Sequence, residues 1–175
     1  MDRDSLKAVQ DPLKQRYRED KASAVVTMHA SGSLDGDGVT CSVDTGRAVV
    51  MAGLHPAGGG DGSSACSGDM LLQALVACAG VTLRAVATSM GVDVRSGVVH
   101  AEGDLDVRGT LGVDKQAPVG FRDIRLSFDM QTDAEPDVLA TLIKLTERYC
   151  VVYQTIMHPP LMTVSHTVSP VAASA

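Results

Sequence analysis

Two of the four cysteines in this 175-residue chain, Cys78 and Cys150, occupy sequence settings in which a thiol could react. Cys78 lies near the middle of a long apolar stretch, and Cys150 ends an amphipathic stretch 72 residues later. The other two are Cys41 and Cys66, and no two of the four form a CxxC pair. A zinc site by spacing is therefore disfavoured, and in a reducing compartment a disulfide would be transient and catalytic rather than structural.

The predicted helix face that carries Cys78 is small and apolar, and such a setting raises the pKa of a thiol. At 100° per residue, Arg84 projects about 120° and Asp69 about 180° away from Cys78. If Cys78 is reactive, its activation must come from another part of the fold or from a second subunit. The alternative is a small core residue without chemistry. The other members of this face are Leu71, Ala74, Leu75, Val81, Thr82 and Ala85.

The segment before the apolar stretch, HPAGGGDGSSACSG from His55 to Gly68, is rich in glycine and serine. Such a loop ahead of a helix can bind an anion through backbone N–H groups, but the Gly-Lys-Ser/Thr ending of a P-loop is missing. We interpret it as a flexible access loop at the mouth of a pocket, with a plain connector as the alternative. A metal site drawn from His55, Cys66, Asp69 and His100 is a further alternative.

The apolar stretch predicts one long helix from Ser67 to Gly91. Ser67 is a suitable N-cap, Asp69 places a negative charge at the positive end of the helix dipole, and Gly91 suits the C-terminal cap. The uncharged run from Met70 to Leu83 is 14 residues long, whereas a membrane span needs about 20. We therefore expect a buried core helix of a soluble protein.

The other segments predict an α+β architecture, in which a mostly antiparallel sheet is wrapped around the long helix and a second, amphipathic helix. The clearest strand alternates Ile124, Leu126, Phe128 and Met130 with polar residues. The chain begins with a charged arm (1–23) that we expect to be helical or extended. A hairpin (24–31 and 38–44) follows, with Cys41 packed in its second strand, and then one or two strands within 92–109 and the Ile124–Met130 strand. After these we expect a helix capped by Thr132 and Asp133, a last strand (161–168) and a frayed tail (169–175).

Composition limits the partners of the chain. Its net charge of −6 argues against nucleic acid and anionic membranes. The length suits one domain, which we place at residues 24–168. The amino terminus, MDRDSLKAVQ, resembles neither a secretory signal nor a transit peptide, so the expected compartment is the cytoplasm.

The ordered motifs LLQALVACAGVTL around Cys78 and LTERYCVVYQTI around Cys150, with the closing stretch MTVSHTVS, resemble the OsmC/Ohr family of thiol-dependent hydroperoxide reductases. The resemblance covers about residues 24–168. It implies an intertwined homodimer with active sites at the subunit interface. It also implies that Cys78 attacks an organic hydroperoxide, that Cys150 resolves the product as a disulfide, and that an external dithiol, with no bound cofactor, restores the pair.

The chain departs from the Ohr branch at the groups that activate the thiol there, an arginine in the first hairpin and a glutamate near the start of the central helix. Here the hairpin turn reads SLDGDG, and Asp69 stands at or beside the glutamate position. Glu147 and Arg148, next to Cys150, are possible supporting residues; Arg16, Arg18 and Arg47 are other substitutes for the arginine. The alternative function is an OsmC-like small-molecule-binding or redox-sensing protein without efficient peroxidase turnover.

Overall fold

The computed structural model describes residues 2–19, 31–33, 40–44 and 49–168, and they form a mixed α+β fold. Its helices are α1 (Arg3–Glu19), α2 (Ser67–Met90), α3 (Val107–Thr110), α4 (Pro136–Tyr149) and α5 (Val151–Met157). Its strands are β1 (Ser31–Ser33), β2 (Thr40–Asp44), β3 (Val49–Gly53), β4 (Ala65–Cys66), β5 (Ser96–Leu105) and β6 (Phe121–Gln131). The amino-terminal arm is thus helical over the part described.

The strands form two sheets, and all pairs but one are antiparallel. The first sheet has the order β1-β2-β3-β4, with β3 and β4 parallel; the second is the long hairpin of β5 and β6. Antiparallel pairing of the two segments that flank SLDGDG is confirmed, with Ser31 opposite Asp44. Residues 24–30 of the predicted first strand lie outside the described residues, as does the side chain of Cys41.

Helix α2 packs against α4, α5 and the β5–β6 hairpin. Its buried residues, Leu75, Ala79, Leu83 and Ala87, recur every four positions and form one stripe. In the single chain the expectation of a buried core helix holds for this stripe but not for the opposite side, where Val81 is 73% exposed. By length and composition alone α2 could also cross a membrane, a criterion that core helices of water-soluble proteins meet too.

The ends of the helices differ from the expected caps by one to a few residues. Cys66, without a side-chain cap hydrogen bond, precedes α2 in place of Ser67, while Gly91 ends the helix in the left-handed conformation at φ 73° as expected. Glu135 precedes α4 in place of Thr132 or Asp133, with Pro136 in the first turn. Extended backbone at these positions starts the helix without a side-chain cap, because water can satisfy exposed N–H groups.

The core divides into two clusters along α2. Toward the carboxyl end of α2, Leu83 and Ala87 pack with Val94 and Leu142 in a purely hydrocarbon cluster. Toward the middle, Leu75 and Ala79 pack with Cys150, and Cys78 lies at the edge of this second cluster. The alternation predicted for Ile124 to Met130 is confirmed, since these side chains turn toward α2 and the residues between them are exposed.

The predicted last strand is absent from the described fold. Residues 159–168 follow α5 without pairing to a strand, and every side chain from Leu161 to Val168 is exposed. The alternation of Met162, Val164 and His166 with polar residues suits a strand, but a strand also needs a sheet edge beside it. The two described sheets have free edges, but residues 161–168 pair with none of them.

Candidate functional site

Cys78 and Cys150 meet where the middle of α2 crosses the junction of α4 and α5. Cys78 is half-buried in α2, whereas Cys150 is 1% exposed. Cys150 is the residue between the two helices: its N–H donates to the carbonyl of Thr146, and its own carbonyl accepts from the N–H of Gln154, each at 2.9 Å. Both cysteines are free thiols, and they lie close enough for each to shift the pKa of the other.

Neutral donors lower the pKa of Cys78 below its ordinary value. Burial alone raises that pKa and is the largest single effect, but the hydrogen bonds to the sulfur outweigh it. The donors are the backbone N–H groups of Val151 and Val152, the thiol of Cys150 and the hydroxyl of Thr82. Because the first N–H groups of a helix have no partner within that helix, the start of α5 can offer them to a thiolate. All of these donors except the hydroxyl of Thr82 come from a part of the fold outside α2.

The pKa of Cys150 shifts in the opposite direction. Burial raises it most, and the adjacent Cys78 raises it further, because Cys150 donates its proton to the Cys78 sulfur and a thiolate there repels a second one. The N–H groups of Tyr153 and Val152 lower this pKa only in part. The pair is therefore asymmetric, and Cys78 is the first of the two thiols to lose its proton.

The three possible supporting residues do not join this contact. Asp69 is exposed in the first turn of α2 and lies about 13 Å along the helix axis from Cys78 at 1.5 Å per residue. The backbone carbonyl of Glu147 accepts from the side-chain amide of Gln154 at 2.8 Å, which ties the end of α4 to α5. The Arg148 guanidinium lies 5.7 Å from the ring centre of Tyr149.

Arg148 lines an open groove of about 400 Å³ on the outer side of the α4–α5 junction. The other lining residues are Tyr149, Val151, Gln154, Thr155 and His158. Since Val151 also supplies its N–H to Cys78, the groove and the thiol pair lie on two sides of the same short segment. The side chain of Arg18 and all of Arg47 lie outside the described residues, and Arg16 makes an interaction of its own.

The residues of the alternative metal site are dispersed. His55 accepts from the N–H of Ala57 through Nδ1 at 3.1 Å, and His100 lies 3.4 Å from Asp129 on the exposed face of β5. Cys66 lies in β4 rather than in a loop. Across residues 2–19, 31–33, 40–44 and 49–168, no three His, Cys, Asp or Glu side chains are grouped to hold a metal ion.

The groups that sequence reasoning missed are the N–H donors of Val151 and Val152. A backbone donor has no residue-type signature, so side-chain motifs do not reveal it. The stretch ERYCVVYQTIM has no glycine, proline or side-chain cap at the point where α4 ends and α5 starts, so the sequence does not mark the first-turn N–H groups exposed there.

A family model described as "OsmC-like protein" matches residues 60–165, which is more than half of the chain and includes both Cys78 and Cys150. The chain belongs to the OsmC-like family. This confirms the resemblance read from the two cysteine motifs. No curated protein matches the chain by sequence.

Solved OsmC-like structures share the fold at low sequence identity. An OsmC-like protein from Mycoplasma pneumoniae is 13% identical with a TM-score of 0.64, over 77% of this chain and 89% of that chain. An organic hydroperoxide resistance protein OsmC from Legionella pneumophila is 16% identical with a TM-score of 0.60, over 77% and 91%. An organic hydroperoxide resistance protein from Elizabethkingia anophelis is 14% identical with a TM-score of 0.60, over 77% and 91%.

Proposed function

We propose that this OsmC-like protein is a thiol-dependent peroxidase that reduces organic hydroperoxides through Cys78 and Cys150. The observation that carries the proposal is the asymmetry of the pair: the Cys78 pKa is lowered and that of its neighbour, Cys150, is raised. The cysteine that attacks the peroxide must be a thiolate, and a raised pKa on Cys150 favours ionisation of Cys78 before that of its neighbour. That two related folds bear the name of organic hydroperoxide resistance proteins supports the same substrate class.

The chemistry has three steps. The Cys78 thiolate attacks the terminal oxygen of the hydroperoxide; the O–O bond breaks, the sulfur becomes a sulfenic acid, and the alkoxide leaves and takes up a proton as the alcohol. The Cys150 thiol then attacks the sulfenic sulfur, which forms the S–S bond and releases water. An external dithiol supplies two electrons and two protons and restores both thiols.

The surroundings favour organic over inorganic peroxide. The cysteine pair is packed among apolar side chains of α2, β5, β6 and α5, of which Val99, Ile124 and Tyr153 are only partly buried. Transfer of an alkyl chain from water onto such a surface is favourable, whereas hydrogen peroxide gains nothing from it. The protein would work in the cytoplasm, where dithiol reductants are present.

Free-thiol counting tests the proposal. The fully reduced protein is mixed with cumene hydroperoxide, its free thiols are counted, and the linked peptides are identified by mass spectrometry. We expect the loss of two thiols and one intramolecular bond between Cys78 and Cys150, with a slower reaction for hydrogen peroxide. A Cys66→Ser variant is the control and should react as the wild type does. An unchanged thiol count over minutes would refute the peroxidase function.

We also propose that the working form is a homodimer. The apolar residues Leu161, Met162 and Val164 are 102%, 85% and 92% exposed, and exposed apolar surface of this kind marks an interaction site. Val81 is exposed on α2 close to Cys78, so a second copy would also close the thiol site. Light scattering should give twice the chain mass, Val164→Asp should lower it, and Thr163→Asp, which adds the same charge at the neighbouring polar position, should not.

A second candidate function is small-molecule binding or redox sensing without efficient turnover. It is favoured by the neutral character of the donors that reach Cys78, since the Arg148 side chain lies against Tyr149 instead. This function predicts that the protein binds an apolar ligand and is oxidised once by a hydroperoxide, but is not recycled by any dithiol. Steady-state consumption of cumene hydroperoxide in the presence of dithiothreitol separates the two functions.

A further inference from the structure

We propose that the hydroxyl of Thr82 is a dedicated donor to the Cys78 thiolate and a determinant of its reactivity. Thr82 lies one helical turn after Cys78 in α2, so the two side chains share a face of the helix. Both are half-buried at the edge between the covered stripe and the open side of α2. This inference deepens the proposed peroxidase function. The effect of Thr82 on the Cys78 thiol is independent of that function, and only its biological use rests on it.

The partner of its hydroxyl distinguishes Thr82 from four other helical threonines of the described chain. The usual partner of such a hydroxyl is the backbone carbonyl four residues earlier. Thr88, Thr141, Thr146 and Thr155 donate in this way to the carbonyls of Arg84, Asp137, Leu142 and Val151 at 2.8 to 2.9 Å. Among the described residues Thr82 makes no such bond, and its hydroxyl is one of the groups that lower the pKa of the Cys78 thiol, which is also four residues earlier.

The position of Thr82 complements that of the backbone donors. Val151 and Val152 reach the sulfur from α5, whereas Thr82 reaches it along α2 itself. The Cys78 thiolate thus receives hydrogen bonds from both α2 and α5, and its orientation does not depend on α5 alone. The face around it is otherwise apolar, with Leu71, Ala74 and Leu75 near, so a single hydroxyl makes a large difference to the stability of a negative charge there.

Alkylation of Cys78 as a function of pH tests this role without any peroxide. Reduced wild type and Thr82→Val are treated with iodoacetamide from pH 5 to 10, and the modified Cys78 peptide is quantified by mass spectrometry. Since a hydrogen bond to a charged group is worth about tenfold in an equilibrium, we expect alkylation of Thr82→Val at pH 7 to be roughly three- to tenfold slower. At high pH, where both proteins are fully ionised, the rates should converge.

Two variants serve as controls. Thr82→Ser keeps the hydroxyl and should restore the wild-type profile, which loss of packing alone would not predict. Thr88→Val makes the same chemical change in the same helix, two positions before its end, and should leave the profile unchanged. If valine is not accommodated, as shown by the circular dichroism spectrum, Thr82→Ala takes its place because it removes atoms only.

The outcomes separate this inference from the proposed function. A Thr82→Val or Thr82→Ala protein with the wild-type alkylation profile would overturn the role of Thr82, whether or not the protein reduces hydroperoxides. A shifted profile that serine restores supports it. If the profile shifts but the wild type consumes no hydroperoxide, only the peroxidase function fails.

Discussion

The cysteine pair and the outer face of the β5–β6 hairpin both contain groups with shifted pKa values, but the shifts have different physical causes. On the hairpin, Arg125 donates to Asp104, Asp123 and Glu102 at 2.6, 2.8 and 3.3 Å. These contacts raise the pKa of Arg125 and lower that of Asp104. All four side chains are exposed. At the cysteine pair the donors are neutral and the sulfur is half-buried.

The difference shows why the size of a pKa shift does not locate a reactive site. The charges of Arg125 and its carboxylate partners compensate one another, and each group keeps the protonation state that it has in water. The pKa values of the two cysteines are shifted in opposite directions, so that Cys78 ionises before Cys150 although the two groups are chemically identical. Only this second arrangement gives one group a reactivity that it would lack in the unfolded chain.

Removal of the Cys78 sulfur is the largest change that this comparison predicts. In Cys78→Ser the poised thiolate is replaced by a hydroxyl that does not ionise near neutral pH, so hydroperoxide reduction should fall on the order of a thousandfold or more. Consumption of cumene hydroperoxide with excess dithiothreitol measures it. Substantial activity in Cys78→Ser would show that another cysteine reacts with the hydroperoxide. Cys66→Ser, which makes the same change at a different cysteine, is the matched comparison.

Removal of the Cys150 thiol should affect the second step and not the first. Without a reductant, Cys150→Ser should consume one equivalent of hydroperoxide and then stop. With excess dithiothreitol it should turn over roughly tenfold or more slowly than the wild type, because the sulfenic acid on Cys78 lacks its resolving partner. Dimedone labelling of Cys78 after one equivalent of cumene hydroperoxide detects that acid. Labelling as weak as in the wild type would contradict the assigned order of the two residues.

The pH profile should report the Cys78 pKa and not the hairpin charges. Since that pKa is lowered, the rate of sulfenic acid formation should rise about tenfold per pH unit on the acidic side and become constant at a pH below the ordinary cysteine value of about 8.5. Stopped-flow measurements of single turnovers between pH 5 and 9 give the profile. A rate that still rises above pH 9 would mean that the donors at Cys78 do not act as described.

Neutralisation of the hairpin cluster should have the smallest effect. Arg125→Gln removes contacts between exposed charges, so we expect the unfolding temperature to stay within about 2 °C of the wild type and the hydroperoxide rate to be unchanged. Differential scanning calorimetry and the peroxide assay measure these two quantities. A large loss of activity in Arg125→Gln would show that the hairpin charges affect the cysteine pair, and it would contradict the contrast between these two regions.

Several features follow from local sequence alone, because their causes lie within a few residues. The alternation from Ile124 to Met130 produced a strand with one face toward the core, and Gly91 ended α2 in the left-handed conformation that glycine tolerates. The two cysteine motifs, taken in order, indicated the family that the match over residues 60–165 shows.

Tertiary structure decided what those local patterns could not. Helix α2 is apolar on nearly all sides, so only the positions of α4, α5 and β5 determine that Leu75 and Ala79 are buried while Val81 is exposed. The segment 161–168 has the alternation of a strand, yet it pairs with no sheet edge of the described chain, because pairing depends on where the fold places the segment. The sequence alone determined that Cys78 lies on an uncharged face, whereas its ionisation depends on backbone N–H groups more than 70 positions away, because only folding brings a helix start against that sulfur.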